Sequence, residues 1–403
     1  MSRQHFFPNP QTETLDRHHF PQSPNPGELA GGRSRADPSP LQLPPDDLLR
    51  EILLRLPPEP IHLFRASVVS KHWRSLVHDA RFRRRFREFH GGTPPVLGFF
   101  HNQLGHSLFV PTSGGFALST ASMRHGEWRT LDCRHGRALL HNNRTRTLLV
   151  WDPMTGDERY LPFPTQAHLE IVQYDGAVLC AAGHSDHGDC HWCPFLVAFV
   201  FSNHRDLITS ACVYSSETGV WGEITSIHIR DSIVDASPTA LLGSTLYWLS
   251  ENDSIIELDL DKNSLDFIEV PYAGQIIIIL IEDGGLGFAG VDQFSLHFWS
   301  RAASIDGVRS WTHRRVIDLE KLLAPEVVAA CMNRVFPVGY AEDANVIFIY
   351  VYPSIYMIHL NSMHIEEVSE KGTYWFVFPY TSFYTPGITT GGGDDQAVLL
   401  NGS

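Results

Sequence analysis

The chain has 403 residues, enough for two or three domains, and its 43% hydrophobic and 19% charged residues are an ordinary globular balance. The net charge of −14 is unevenly placed, +4 over residues 43–90 and −18 over residues 91–403, so most of the chain would repel a phosphate backbone and nucleic acid is not an expected partner. Apolar runs such as Ile276 to Ile281 fall far short of the ~18 residues that cross a bilayer, and six cysteines make no disulfide framework in so long a chain, so no membrane partner and a cytoplasmic and/or nuclear location are expected.

Residues 1–42 hold seven prolines among Ser, Gly, Asn and Gln without helical or strand period, the composition of a disordered leader. Residues 43–90 read as helices. Leu48, Leu49, Ile52, Leu53 and Leu56 fall at helical spacing, and Asp46 and Asp47 place negative charge at the helix start. Pro57-Pro58 stops that helix, and Pro60 suits the first turn of the next. Ser70 is positioned to cap a third helix holding Trp73, Leu76 and Val77. Phe82, Phe86 and Phe89 mark a fourth at i, i+4 and i+7.

From Val96 onward the period becomes two. Short strands are expected at 148–151, 196–200, 246–249, 255–260, 346–351 and 355–360, as in a sandwich, barrel or propeller. Trp128, Trp221 and Trp311 recur at intervals close to twice a ~45-residue blade, which favours the propeller. Trp151-Asp152-Pro153-Met154-Thr155-Gly156 is echoed by Tyr214-Ser215-Ser216-Glu217-Thr218-Gly219, each with a glycine where a hairpin needs positive φ. A last strand, Tyr374 to Tyr380, is placed to close the ring.

The stretch from Leu43-Pro44-Pro45-Asp46-Asp47 through Leu56-Pro57 resembles the opening helix of an F-box, and Leu63-Phe64-Arg65 through Ser70-Lys71-His72-Trp73-Arg74 resembles its second half. With the linker from Phe89 to Phe100, the chain is similar to the large plant F-box family that carries a C-terminal F-box-associated propeller. The resemblance implies a multidomain chain: a small all-α F-box of three to four helices at 43–90, then an all-β propeller-like domain of six or seven blades at 91–403. It also implies a non-catalytic substrate receptor of a ubiquitin ligase, binding a Skp-type adaptor and through it a cullin, with an unidentified target on the propeller. Leu43, Pro44, Leu48, Leu49, Ile52, Leu63, Val68, Ser70, Trp73 and Arg74 would then meet the adaptor. A segment under ~50 residues without metal or disulfide rarely folds alone, which agrees with apolar residues left over for a partner. A scaffold outside any ligase, or a propeller lectin or hydrolase with a vestigial F-box, are the alternatives.

Other signals carry less. Gly285-Leu286-Gly287-Phe288-Ala289-Gly290 matches GxGxxG, but the alternating Phe294 to Trp299 that follows offers no helix to hold a phosphate; glycine turns in a blade are expected, and no cofactor. His184, His187, Cys190 and Cys193 could supply four zinc ligands from one loop. The two-residue spacing is cramped, however, and an exposed insertion between strands is expected. Gly183 to His187 lacks the final glycine of a nucleophile elbow, so no catalytic set is marked. Arg81 to Arg87 reads as the solvated face of an amphipathic helix, with nuclear import as its functional counterpart.

Overall fold

The computed structural model describes residues 45–112, 127–164, 173–182, 190–203, 207–228, 234, 236–251, 254–272, 274–281, 284–303 and 309–384. The expected leader at 1–42 lies outside them, as do Leu43, Pro44, His184 and His187.

Four helices open the described chain: α1 Asp46–Leu54, α2 Pro60–Val69, α3 Lys71–His78 and α4 Ala80–Phe89. The second and third junctions are single residues that serve as caps. Ser70 Oγ accepts from Trp73 N at 3.1 Å, and Asp79 Oδ1 accepts from Phe82 N at 2.9 Å, each satisfying an amide the helix start leaves open. Leu49, Leu53, Leu54, Leu63, Leu76, Val77, Phe82 and Phe86 form the core. Phe89 does not continue the Phe82–Phe86 stripe: it is exposed, and the inward place goes to His90, whose ring lies 4.4 Å from Phe86 and whose Nε2 is 3.1 Å from the Leu54 carbonyl.

Six antiparallel sheets follow among the described residues, which settles the blade number. Blade 1 joins His106–Pro111 and Val96–Gln103 to the late strand Val377–Thr381. That late strand also packs beside Trp128–Arg134 and Val335–Ala341, so the ring closes by bringing the chain's end back to its first blade. Blade 2 runs from Trp128 to Pro162, blade 3 from Gln173 to His228, blade 4 from Ala240 to Glu269, blade 5 from Ile276 to Asp318 and blade 6 from Val335 to Glu367.

The core lies between successive sheets. Leu139 and Leu148 of blade 2 pack on Val197 and Phe199 of blade 3, and Val200 and Ala211 on Leu246 and Trp248 of blade 4. Strands covered on both faces, such as Val346–Val351, are apolar throughout. The outer Ser264–Glu269 is mixed, with Leu265 and Ile268 buried and Ser264, Asp266 and Glu269 exposed.

The two Thr-Gly hairpins are equivalent third-to-fourth strand turns of adjacent blades, with Gly156 at φ 76° and Gly219 at φ 74°. Trp221 and Trp311 are equivalent as well. Each indole lies on a fourth strand and donates to the last strand of the preceding blade, Trp221 to Pro162 O at 2.9 Å and Trp311 to Glu269 O at 2.7 Å. Trp128 does not belong to that series, since it begins a first strand.

Of the three glycines, Gly285 precedes the strand, while Gly287 and Gly290 sit within Leu286–Asp292 rather than in a turn. A Cβ on Gly287 would stand 2.6 Å from Trp299 O, so close strand packing explains the glycine. The all-β expectation also missed a short helix, α5 Pro325–Ala330, between blades 5 and 6. Leu319, Leu323 and Cys331 around it are buried in the cluster joining those blades. No helix among the described residues is long and apolar enough to cross a membrane.

Candidate adaptor interface and neighbouring sites

The apolar stripe of α1 is wider than the core it meets. Leu49 and Leu53 point inward, while Leu48 and Ile52, one position earlier in each turn, are 57% and 52% exposed. At the end of α2, Val68 and Val69 are 49% and 62% exposed. A contact of 2.9 Å between Asp46 Oδ1 and His72 Nε2 ties the start of α1 to the start of α3, which follows Val69 after the single residue Ser70. The remaining proposed adaptor residues fall in different surroundings. Leu63 is buried, Trp73 is half-buried against the F-box core, Ser70 is the α3 cap, and exposed Arg74 donates from Nε to Ser67 O at 3.3 Å. Val69 was not singled out from the sequence, although its place beside Val68 at a helix end was the available signal.

The helical core also takes in two residues from the far end of the chain. Phe383 and Tyr384, just past the closing strand, are buried among Leu49, Leu63 and Phe82. No helical or strand period marks them, so sequence reading had no means of assigning them there.

Two polar sites lie in the propeller. In one of them, Arg134 pairs with Glu342 and lies 3.6 Å from Asp132, while its Nη2 donates to Thr239 O at 2.9 Å. Thr239 Oγ1 donates to Asp132 Oδ1, Val178 N to Asp132 Oδ2, and Leu241 N to Glu342 Oε1. Blades 2, 3, 4 and 6 are thereby linked. Burial pushes both carboxyls up, against the pull of Arg134. Burial also opposes the Arg134 charge, but Glu342 and Asp132 outweigh it and keep the guanidinium protonated.

A cleft of about 520 Å³ opens between blades 2 and 3, lined by Arg137, Asp152, Tyr160, His191, Phe195 and Tyr214 among others. Asp152 belongs to the first Thr-Gly hairpin. Its Oδ1 accepts from Met154 N and Thr155 N at 2.9 and 3.1 Å, and its Oδ2 pairs with His191 Nδ1. Cys190 and His191 are buried, so this part of the His/Cys-rich stretch is not the exposed insertion expected. The physical reason is Arg137, a buried cation whose Nη2 donates to the carbonyls of Cys190, His191 and Cys193 and so draws the turn inward.

Residues 129–387 match the family model described as "F-box protein AT5G49610-like, beta-propeller". The chain belongs to this family. Residues 41–85 separately match the F-box domain, so α1 to α3 and the first part of α4 are the F-box of this family member. An Arabidopsis thaliana protein named for its F-box, At3g16210, is 25% identical over 217 residues, covering 52% of this chain and 54% of its own. The chain thus spans about half the length of the curated relative it matches. Among solved structures, the WD40 domain of SCAP from fission yeast overlaps 61% of this chain and 53% of its own at 11% identity and a TM-score of 0.35. Apo AztD from Citrobacter koseri overlaps 64% and 76% at 11% identity and a TM-score of 0.33.

Proposed function

We propose that this F-box protein is the substrate-recruiting subunit of a cullin-type ubiquitin ligase, its F-box held by a Skp-type adaptor and its propeller holding the target. The carrying observation is the exposed aliphatic set Leu48, Ile52, Val68 and Val69 on the helices of a domain that matches the F-box. Four exposed aliphatics on the helices of a small domain are what a partner surface requires. Phe383 and Tyr384 support the reading from the other side: they anchor the F-box to the end of the closing strand, so that a target on the propeller would be presented in a fixed direction. The chain itself would do no chemistry. It would raise the effective concentration of a target lysine near a ubiquitin-charged enzyme, in the cytoplasm and/or nucleus.

The test is co-purification of Skp-type adaptor and cullin with the full-length chain, beside a Leu48→Ala/Ile52→Ala variant. Recovery of both by the wild type and neither by the folded variant is expected. A wild type that recovers neither ends the ligase reading.

A further inference from the structure

Three of the six cysteines converge. Cys180 ends the first strand of blade 3, while Cys190 and Cys193 bracket a short 3-10 turn closed by Cys193 N donating to Cys190 O at 3.0 Å. Their three Sγ atoms all lie within 4.8 Å of one another. We propose that Cys180, Cys190 and Cys193 are the ligands of a zinc ion that staples this turn to the strand end.

The geometry suits the ion. Zinc–thiolate bonds of ~2.3 Å in a tetrahedron set sulfurs roughly 3.8 Å apart, so loading asks for a closure of about 1 Å. The ligands come from two separate elements, a tight C-x-x-C turn and a strand end, which is how structural zinc sites are assembled. That arrangement lifts the objection to a site built from one loop, because Cys180 supplies the separated donor that sequence spacing did not reveal. A disulfide would use only two of the sulfurs, whereas a thiophilic ion uses all three. Charge is provided for as well. Zinc with three thiolates carries a net charge of about −1, and the buried guanidinium of Arg137 sits under the same turn, bonded to the carbonyls of both Cys190 and Cys193. The fourth position of the tetrahedron is open to water or another donor.

The consequence is local order. His191 lies between the two turn cysteines and reaches Asp152, so an ion at this site holds one wall of the cleft between blades 2 and 3. The inference is independent of the adaptor reading.

The experiment uses the full-length chain, untagged and purified from zinc-supplemented cells, with metal content measured by mass spectrometry and thiols counted by alkylation. About one equivalent of zinc is expected, with three thiols alkylated only after chelation and protected again when zinc returns. Cys180→Ser and Cys193→Ser should each lower zinc content by about tenfold or more, and Cys331→Ser, in the blade 5–6 cluster, should leave it unchanged. Should the serine variants fail to fold, cobalt exchanged into the wild type decides: a thiolate-to-metal absorption with the strength of three thiolates supports the site, and its absence overturns it. Wild type without zinc, wild type carrying copper in its place, or a disulfide between two of the three cysteines would each overturn the proposal.

Discussion

The phenolic oxygen of Tyr384 lies 3.3 Å from Nε2 of His78, joining a residue beyond the last described strand to the third helix of the F-box. Burial, with Arg74 and Arg83 nearby, holds His78 below its ordinary pKa, so the ring meets the phenol in its neutral form at pH 7. Phe383, its neighbour, is fully inside the helical core. Phe383→Ala is expected to cost the F-box about 3–5 kcal/mol, the usual loss for a buried Phe. Amide hydrogen exchange checks this: residues 46–89 should exchange faster while blade 4 is unchanged. Protection of the helices equal to wild type would show that the core closes without the chain's end.

Leu48 and Leu49 are adjacent in α1 and face opposite environments, which separates folding from recognition. Leu49→Ala removes a core side chain and should destabilise by about 2–5 kcal/mol. Leu48→Ala should move stability by no more than about 0.5 kcal/mol while weakening adaptor binding by about 2 kcal/mol, or ~30-fold. Thermal denaturation and a binding isotherm on the same preparations give both numbers. Unchanged affinity of Leu48→Ala would remove this face from the interface.

Arg134 compensates a buried and a partly buried carboxylate, so Arg134→Leu should be far worse than the loss of one ion pair suggests. Leaving Asp132 and Glu342 without their cation is expected to cost about 3–5 kcal/mol, read from the urea midpoint. Arg134→Leu/Glu342→Leu should recover part of that loss, because one of the stranded charges is gone.

His141 makes acid stability site-specific. Desolvation, helped by the Arg129 and Arg146 charges, lowers its pKa from 6.5 to about 4, against the pull of the Asn143 hydrogen bond. Tyr174 from blade 3 hydrogen-bonds the ring at 2.7 Å. Between pH 6.5 and 4 the unfolded chain binds a proton that the folded chain refuses. The stability this neutral ring contributes is therefore complete above pH 6.5 and drains as pH falls towards 4, by about 3 kcal/mol in all. In His141→Gln the stability difference between pH 7 and pH 4.5 should shrink by about 2 kcal/mol. An unchanged difference would place the acid sensitivity elsewhere.

Local signals were legible where a residue acts through its chain neighbours. The Ser70 cap, the Pro60 helix start, the glycines at 156 and 219 and the strand at 346–351 all depend on spacing within a few residues, and all stand where the sequence put them. The exposed side of α1 was foreshadowed by its excess of leucine and isoleucine. Relationships set by tertiary packing were not legible. Cys180 meets Cys190 only because a strand ends beside a turn, and Phe383 reaches the helices only because the ring has closed. Trp128 misled because a shared residue type at an apt interval does not reveal which strand of a blade it occupies.

The closing strand and the two aromatics after it have a bearing on synthesis. During translation the F-box leaves the ribosome first, yet blade 1 lacks Val377–Thr381 and the helical core lacks Phe383 and Tyr384 until almost the whole described chain has emerged. A chain stopped short of these residues would carry an unfinished first blade and a helical domain with part of its interior open to water. Completion of the two parts is thus coupled in the connectivity: the helical core is finished by residues that directly follow the strand finishing the first blade.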